Sequence, residues 1–150
     1  MREILFRGKC KEIGEWVEGS LIVDERGNCY IGQYIPREKS VTISSGRAIG
    51  KTLNRFVGIG FVMVDKNTVG QYTGLTDKNG KKIFEGDIVK HYHDRKFPES
   101  YSKGVIFWDE EYLRWKRTSE NVNCCIANDC IYEIIGNIHD NPELLEQDNR

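Results

Sequence analysis

Turn-forming residues interrupt this chain before any apolar pattern runs long enough to build a helix of three turns, and that property limits its fold more than composition does. Apolar residues instead alternate over short stretches, the period of half-buried strands. Residues 15–23 (EWVEGSLIV) and 28–35 (NCYIGQYI) flank Asp-Glu-Arg-Gly at 24–27, a hairpin signal in which Gly27 is free to take positive φ. A third extended run, 56–64 (FVGIGFVMV), ends at Asp65-Lys66-Asn67-Thr68, whose Asp and Asn side chains suit a turn.

Residues 68–90 (TVGQYTGLTDKNGKKIFEGDIVK) are the most patterned part of the chain. Here the spacing predicts an extended piece over 68–75, a hairpin turn at 77–80 with Gly80 in the left-handed position, a return over 81–84 and a bend at 85–87. A strand over 88–92 follows, then an exposed loop over 93–104. Strands are expected at 104–109 and 112–117 around Glu110-Glu111, and a last one at 130–138. Asn141 is a good N-cap with Pro142 at the first helical position, which predicts one short C-terminal helix. Many short strands with close-set turns make the chain mainly β, as a sandwich or a small barrel. WVEGSLIV at 16–23 and IFEGDIVK at 83–90 share Glu-Gly between apolar residues, too little to establish a duplication.

The segment VGQYTGLTDKNGKKIFEGDIVK at 69–90 resembles the hallmark segment of the YopX family, small proteins found mainly in bacteriophages and prophages. REILFRGKCKEIGEWVEGSLI at 2–22 and YEIIGNIHDNPELL at 132–145 resemble the family's two ends, whereas 36–55 and 93–130 carry little of the likeness. The resemblance implies a mainly β fold with an SH3-like barrel in its C-terminal part. Joined to the strand pattern, it divides the chain into a short-strand N-terminal β subdomain at 1–65, the barrel domain at 66–145 and a tail at 146–150. It brings no enzymatic activity and no ligand, so no catalytic residue is carried across.

The patterned segment needs no ligand to explain it. Its glycines serve turns, Tyr72, Leu75, Ile83 and Phe84 offer core surface, and Asp77 and Asn79 build the hairpin. The competing reading makes Gln71, Tyr72, Thr73 and Asp77 an exposed binding edge. A second candidate surface is the aromatic and basic run from Phe107 to Arg117. Alternation there sets Tyr112, Arg114 and Lys116 on one face, where a base could stack between cations, and Leu113, Trp115 and Arg117 on the other; the plainer reading has Leu113 and Trp115 fill the core while the charges are solvated.

Other constellations fall short of a chemistry. Residues 45–52 (SGRAIGKT) approach a phosphate-binding loop, but Ser45 stands where a glycine is needed and only LNRFVGIG separates Thr52 from Phe61. His91 and His93 share a strand face, with Cys124, Cys125, Cys130 and His139 in reserve. No Cys-x-x-Cys accompanies them, so no metal site is expected. Glu85 with Asp87, and Asp109-Glu110-Glu111, sit at bends where solvated carboxylates are ordinary. No cofactor and no catalytic set is expected.

A formal net charge of −1, with 30% charged residues of both signs, argues against a generic polyanion binder. The opening MREILFRGKCKE lacks an apolar leader and no apolar run reaches membrane-spanning length, so the expected location is the cytoplasm of a bacterial host, with the five cysteines reduced. The expected role is a non-enzymatic accessory protein that assembles with itself through its N-terminal strands or binds a phage or host protein. A nucleic-acid-binding barrel is the second class and a small hydrolase the third.

Overall fold

The computed structural model describes residues 1, 3–35, 58–94, 96–119 and 122–148, and strands dominate it. The chain divides into two units, one ending at Gln71 and the other beginning at Tyr72, slightly beyond the 65/66 boundary expected above.

In the first unit β1 (Phe6–Lys9), β2 (Trp16–Val23), β3 (Cys29–Ile35) and β4 (Gly58–Val64) form an antiparallel meander in the order β4-β3-β2-β1. The hairpin between β2 and β3 turns where the sequence places it. Asp24 accepts the amides of Arg26 and Asn28, and Gly27 takes φ +79°. The meander curls until the end of β4 meets the end of β1. There Cys10 bridges Val64, and the Asp65 amide donates to the Lys9 carbonyl at 2.9 Å. A 3₁₀ turn at Lys66–Thr68, capped by Asp65, brings the Thr68 hydroxyl under the Lys9 amide at 2.8 Å. This closure needs Gly8, because a Cβ there would lie 2.6 Å from Val64 Cγ2. Ile31, Val64 and Cys10 are buried inside the curl. The first residues of β5 (Gly70–Thr76) still belong to this unit, Gly70 pairing with Arg7 and Gln71 with Phe6.

The second unit begins with the remainder of β5, which pairs with β6 (Lys82–Phe84). Then β7 (Asp87–Tyr92), β8 (Tyr101–Asp109), β9 (Arg114–Arg117), β10 (Cys124–Cys125) and β11 (Ile131–Asn137) make an antiparallel sheet ordered β10-β9-β8-β7-β11. Ile83, Val89, Ile106, Trp115 and Tyr132 form its apolar centre. The Glu85-Gly86 bend ties the strands around that centre. Gly86, at φ +83°, donates its amide to Ile106 and accepts from the Ile138 amide, each at 2.9 Å. An antiparallel meander wrapped on one core in this way is what the expected SH3-like barrel requires. The helix after Asn141 is a 3₁₀-helix, Pro142–Asp148.

Two local expectations are corrected. The polar segment after β7 is shorter than 93–104, because β8 starts at Tyr101, where Tyr92 pairs with it. The strand expected at 112–117 starts at Arg114. Leu113 instead takes φ 50° in the turn and is 73% exposed, so it fills no core. The Glu-Gly echo has no structural counterpart, since Glu18-Gly19 lie inside β2 while Glu85-Gly86 turn between β6 and β7.

The 77–80 turn does more than reverse the chain. Asp77 is 5% exposed, and its carboxylate accepts the amides of Asn79 (2.8 Å), Lys81 (3.0 Å) and, across to β11, Ile134 (3.2 Å). Truncation leaves three backbone donors, joined to Asp77 by part-buried bonds, without their acceptor. Asp77→Ala is therefore expected to lower the unfolding free energy by about 3 kcal/mol, measured by urea titration. Hydrogen exchange at the Ile134 amide should accelerate along with it. A loss within about 0.5 kcal/mol, the range of ordinary surface changes, would show the turn to be dispensable.

Candidate functional site

The expected binding edge is mostly interior. Tyr72 and Thr73 are 7% and 6% exposed, and Asp77 is committed as just described. The Tyr72 ring packs against Phe84 at 5.6 Å between centroids. The Thr73 hydroxyl donates to the Ile83 carbonyl and accepts from the Leu75 amide, filling the bulge where β5 and β6 lose register between Tyr72 and Thr76. Gln71, half-buried in the β1–β5 pair, is left as the one member on a strand surface. These residue types signal a tight β turn as readily as a ligand edge, and the turn accounts for them.

The structure does bring Tyr112, Arg114 and Lys116 together. The Tyr112 ring, on a residue 57% exposed, has the Arg114 guanidinium 4.9 Å and the Lys116 ammonium 4.6 Å from its centroid. They do not present a free cationic strip, however. Lys116 is 9% exposed and ion-paired with Asp109, whose other oxygen accepts the amides of Glu111 and Tyr112. The Lys116 ammonium holds the Asp109 carboxyl below its ordinary range. The Glu85–Asp87 bend, expected to carry solvated carboxylates, differs at Asp87. Asp87, 1% exposed, accepts the Phe84 amide at 2.8 Å.

Sequence reasoning missed a shallow cleft of about 170 Å³ lined by Lys78, Tyr92, Asp94, Pro98 and Ile131. Its residues come from a turn, two strands and a loop, so no sequence period marks it. Lys78 reaches Glu133 at 2.8 Å and Tyr92 Oη at 3.3 Å, and the Tyr92 hydroxyl donates to the same Glu133 carboxylate. Tyr101 stacks against Tyr92 at 5.9 Å, with the Lys90 ammonium 4.3 Å from its ring centroid. Glu133 pushes Lys78 up while Lys78 pulls Glu133 down. Both groups move away from neutrality, opposite to what general acid–base catalysis asks for.

A second polar group gathers on the core side of the sheet. His91 lies with its ring 5.3 Å from that of Tyr132 and 5.1 Å, edge-on, from that of His93. Its Nδ1 is 3.4 Å from Nη2 of Arg117, a residue only 3% exposed. The shared face foreseen for the two histidines is thus real, but the neighbour is a guanidinium. Among the described residues no three His, Cys, Asp or Glu side chains stand together as metal ligands. Cys124 and Cys125 are exposed on β10, and Cys130 is half-buried against the core cluster. Burial and Cys130 raise the Tyr132 hydroxyl, which stays protonated. The phosphate-loop candidate, 45–52, lies outside the described residues. No described helix is long and apolar enough to cross a membrane.

A protein-family model described as YopX protein matches residues 5–146. Among solved structures, the crystal structure of protein EF1440 from Enterococcus faecalis is similar, with 25% identity, a TM-score of 0.57, and 97% of this chain and 99% of that one covered. No curated protein matches.

The His91 environment fixes a pH dependence. Burial first, then Arg117 and His93, lower His91 from its ordinary 6.5. The groups facing it are Arg117 on β9, His93 beyond β7 and Tyr132 on β11, with Ser102 opposite on β8. None is an anion. The unfolded chain protonates His91 near its ordinary value while the folded chain resists. Stability from this group is full above about pH 6.5 and is lost as pH falls from there toward the folded value. Urea midpoints should drop between about pH 7 and about pH 5.5, above the range where Glu133 titrates, and His91→Gln should flatten that slope. An unchanged slope in the variant would assign the effect elsewhere.

Proposed function

The chain belongs to the YopX family, and on that premise we propose that it is a non-enzymatic binding module that assembles with itself, an accessory protein of phage or prophage origin working in the cytoplasm of a bacterial host. The observation that carries this reading is the outer edge of β4. Along one side β4 pairs with β3 from Gly58↔Ile35 to Val64↔Cys29. On the other side, among the described residues, only Val64 is bridged. An edge of that length is a template for another strand.

The sheet face beside this edge fits the same reading. Ile22, Tyr30 and Met63 are cross-strand neighbours, and Ile22 and Met63 are 44% and 39% exposed. Two-fold pairing of β4 with β4 of a second copy continues that apolar row across the junction and satisfies the outer amides. The acidic hairpin tip does not guard the edge, because Asp24 is spent on its own turn. Arg37 and Lys39, the nearest charges beyond β3 in the sequence, lie outside the described residues. A phage or host protein offering an extended strand would use the same surface. The nucleic-acid reading has less support, since Asp109 already neutralises Lys116 and two cations already sit against Tyr112.

Tyr30 is a poor probe of this interface. It lies on β3 between β2 and β4, so a proline there would break the sheet itself. Met63→Lys tests the edge without touching the core. Light scattering across micromolar concentrations is expected to give a dimer mass that shifts toward monomer in Met63→Lys, with association weakened about tenfold by the charge in an apolar junction. The thermal midpoint extrapolated to low concentration should hardly change. A monomer mass at every concentration overturns self-assembly.

A further inference from the structure

Among the described residues, Arg117 is a buried cation with no carboxylate partner. Its Nη1 donates to the carbonyls of Lys103 at 3.3 Å and Thr118 at 3.0 Å, and its Nη2 stands 3.4 Å from His91 Nδ1. A guanidinium carries five N–H donors, so these contacts leave about two without an acceptor among the described residues. The side chain is laid in place deliberately by the fold. Gly104 makes room for it, as a Cβ there would sit 2.6 Å from Arg117 Cγ and 2.2 Å from the Thr118 carbonyl.

A second unmet group stands nearby on the same sheet. Ser102 is the β-ladder partner of His91, and it directly precedes the Lys103 carbonyl that Arg117 grips. Its Oγ is buried and has no hydrogen-bond partner among the described residues. Register puts Tyr132, His91 and Ser102 in one row across β11, β7 and β8, with Arg117 reaching in from β9. An uncompensated buried charge and a buried idle hydroxyl each cost stability, and neither helps pack the apolar centre. One small oxyanion satisfies both, because its oxygens accept from the guanidinium and the hydroxyl together.

We propose that Arg117, Ser102 and His91 form a binding site for a small oxyanion, a phosphate or a carboxylate group, at the polar end of the barrel core. The anion enters past His93, which is exposed and packs edge-on against His91, since Arg117 itself has almost no open surface. Binding couples to the imidazole. An anion beside His91 favours its charged form, which the empty site disfavours, so occupancy and protonation of His91 support each other. The site is independent of the β4 edge, and its failure would leave self-assembly untouched.

The test is thermal unfolding of the full chain in inorganic phosphate, and separately in acetate, each against chloride at equal ionic strength. A saturable rise in midpoint of about 4 °C is expected at roughly ten times the dissociation constant of whichever anion fits. The response to one and not the other identifies the oxyanion. The His91 ring resonances should shift over the same concentrations, and its titration should move up. Arg117→Met should abolish the response. Ser102→Ala should weaken it severalfold without lowering the midpoint in chloride, which keeps the test decisive if Arg117→Met does not fold. No rise with either anion, or an equal rise in Ser102→Ala with unshifted His91 resonances, overturns the site.

Discussion

The C-terminal unit hangs on one carboxylate. Asp77 takes two amides of its own turn and one from β11, while the next amide, that of Lys78, donates to the Tyr132 carbonyl at 2.8 Å. The turn thereby occupies the outer side of β11 at Tyr132 and Ile134, whose inner side pairs with β7. A negative charge is buried here at low cost because three N–H dipoles converge on it. The same contact sets the end of β6 against the core and closes a sheet edge that would otherwise be open to another chain.

The N-terminal unit answers the edge problem differently and less completely. Curling brings the last residue of β4 to β1, and Gly8 and the Asp65–Thr68 turn permit that approach. Among the described residues, the outer side of β4 is bridged at its Val64 end alone. A side chain can cap two or three amides, as Asp77 does, but a seven-residue strand needs another strand. The proposed self-assembly rests on that difference between the two units.

The turns were legible in the sequence because each depends on local chemistry. Asp24 to Gly27, Asp65 to Thr68 and Asp77 to Gly80 all form where Asp side chains accept nearby amides, and in the first and last a glycine supplies positive φ. Boundaries were less legible where pairing across strands overrode local preference. Polar Tyr101-Ser102-Lys103 reads as loop but lies in β8, held by Tyr92, His91 and Lys90 opposite. Leu113 reads as core by alternation with Trp115, yet it sits at φ 50° in the turn before β9, outside the strand whose alternation would carry it inward. The candidate sites fared worse for the same reason. Whether Asp77 or Thr73 faces a ligand or its own backbone depends on a partner, Ile134 or Ile83, that sequence spacing does not name.

Charge compensation separates the buried ionic groups into two kinds. Asp77 has three amides, Asp87 has the Phe84 amide among its partners, and Lys116 has Asp109. Each sits where it joins two segments, so the fold itself accounts for it. Arg117 ties β9 to β8 through the Lys103 carbonyl and also holds the carbonyl of its own neighbour Thr118, tasks a neutral donor performs without the desolvation cost of a full charge. Its remaining close polar neighbour, His91, is an imidazole that this very charge keeps from protonating. A sheet selected only for packing would favour an apolar residue at this position, as it does at Val89 and Ile106 on the same face. The lone charge is better understood as a cost borne for something other than the fold.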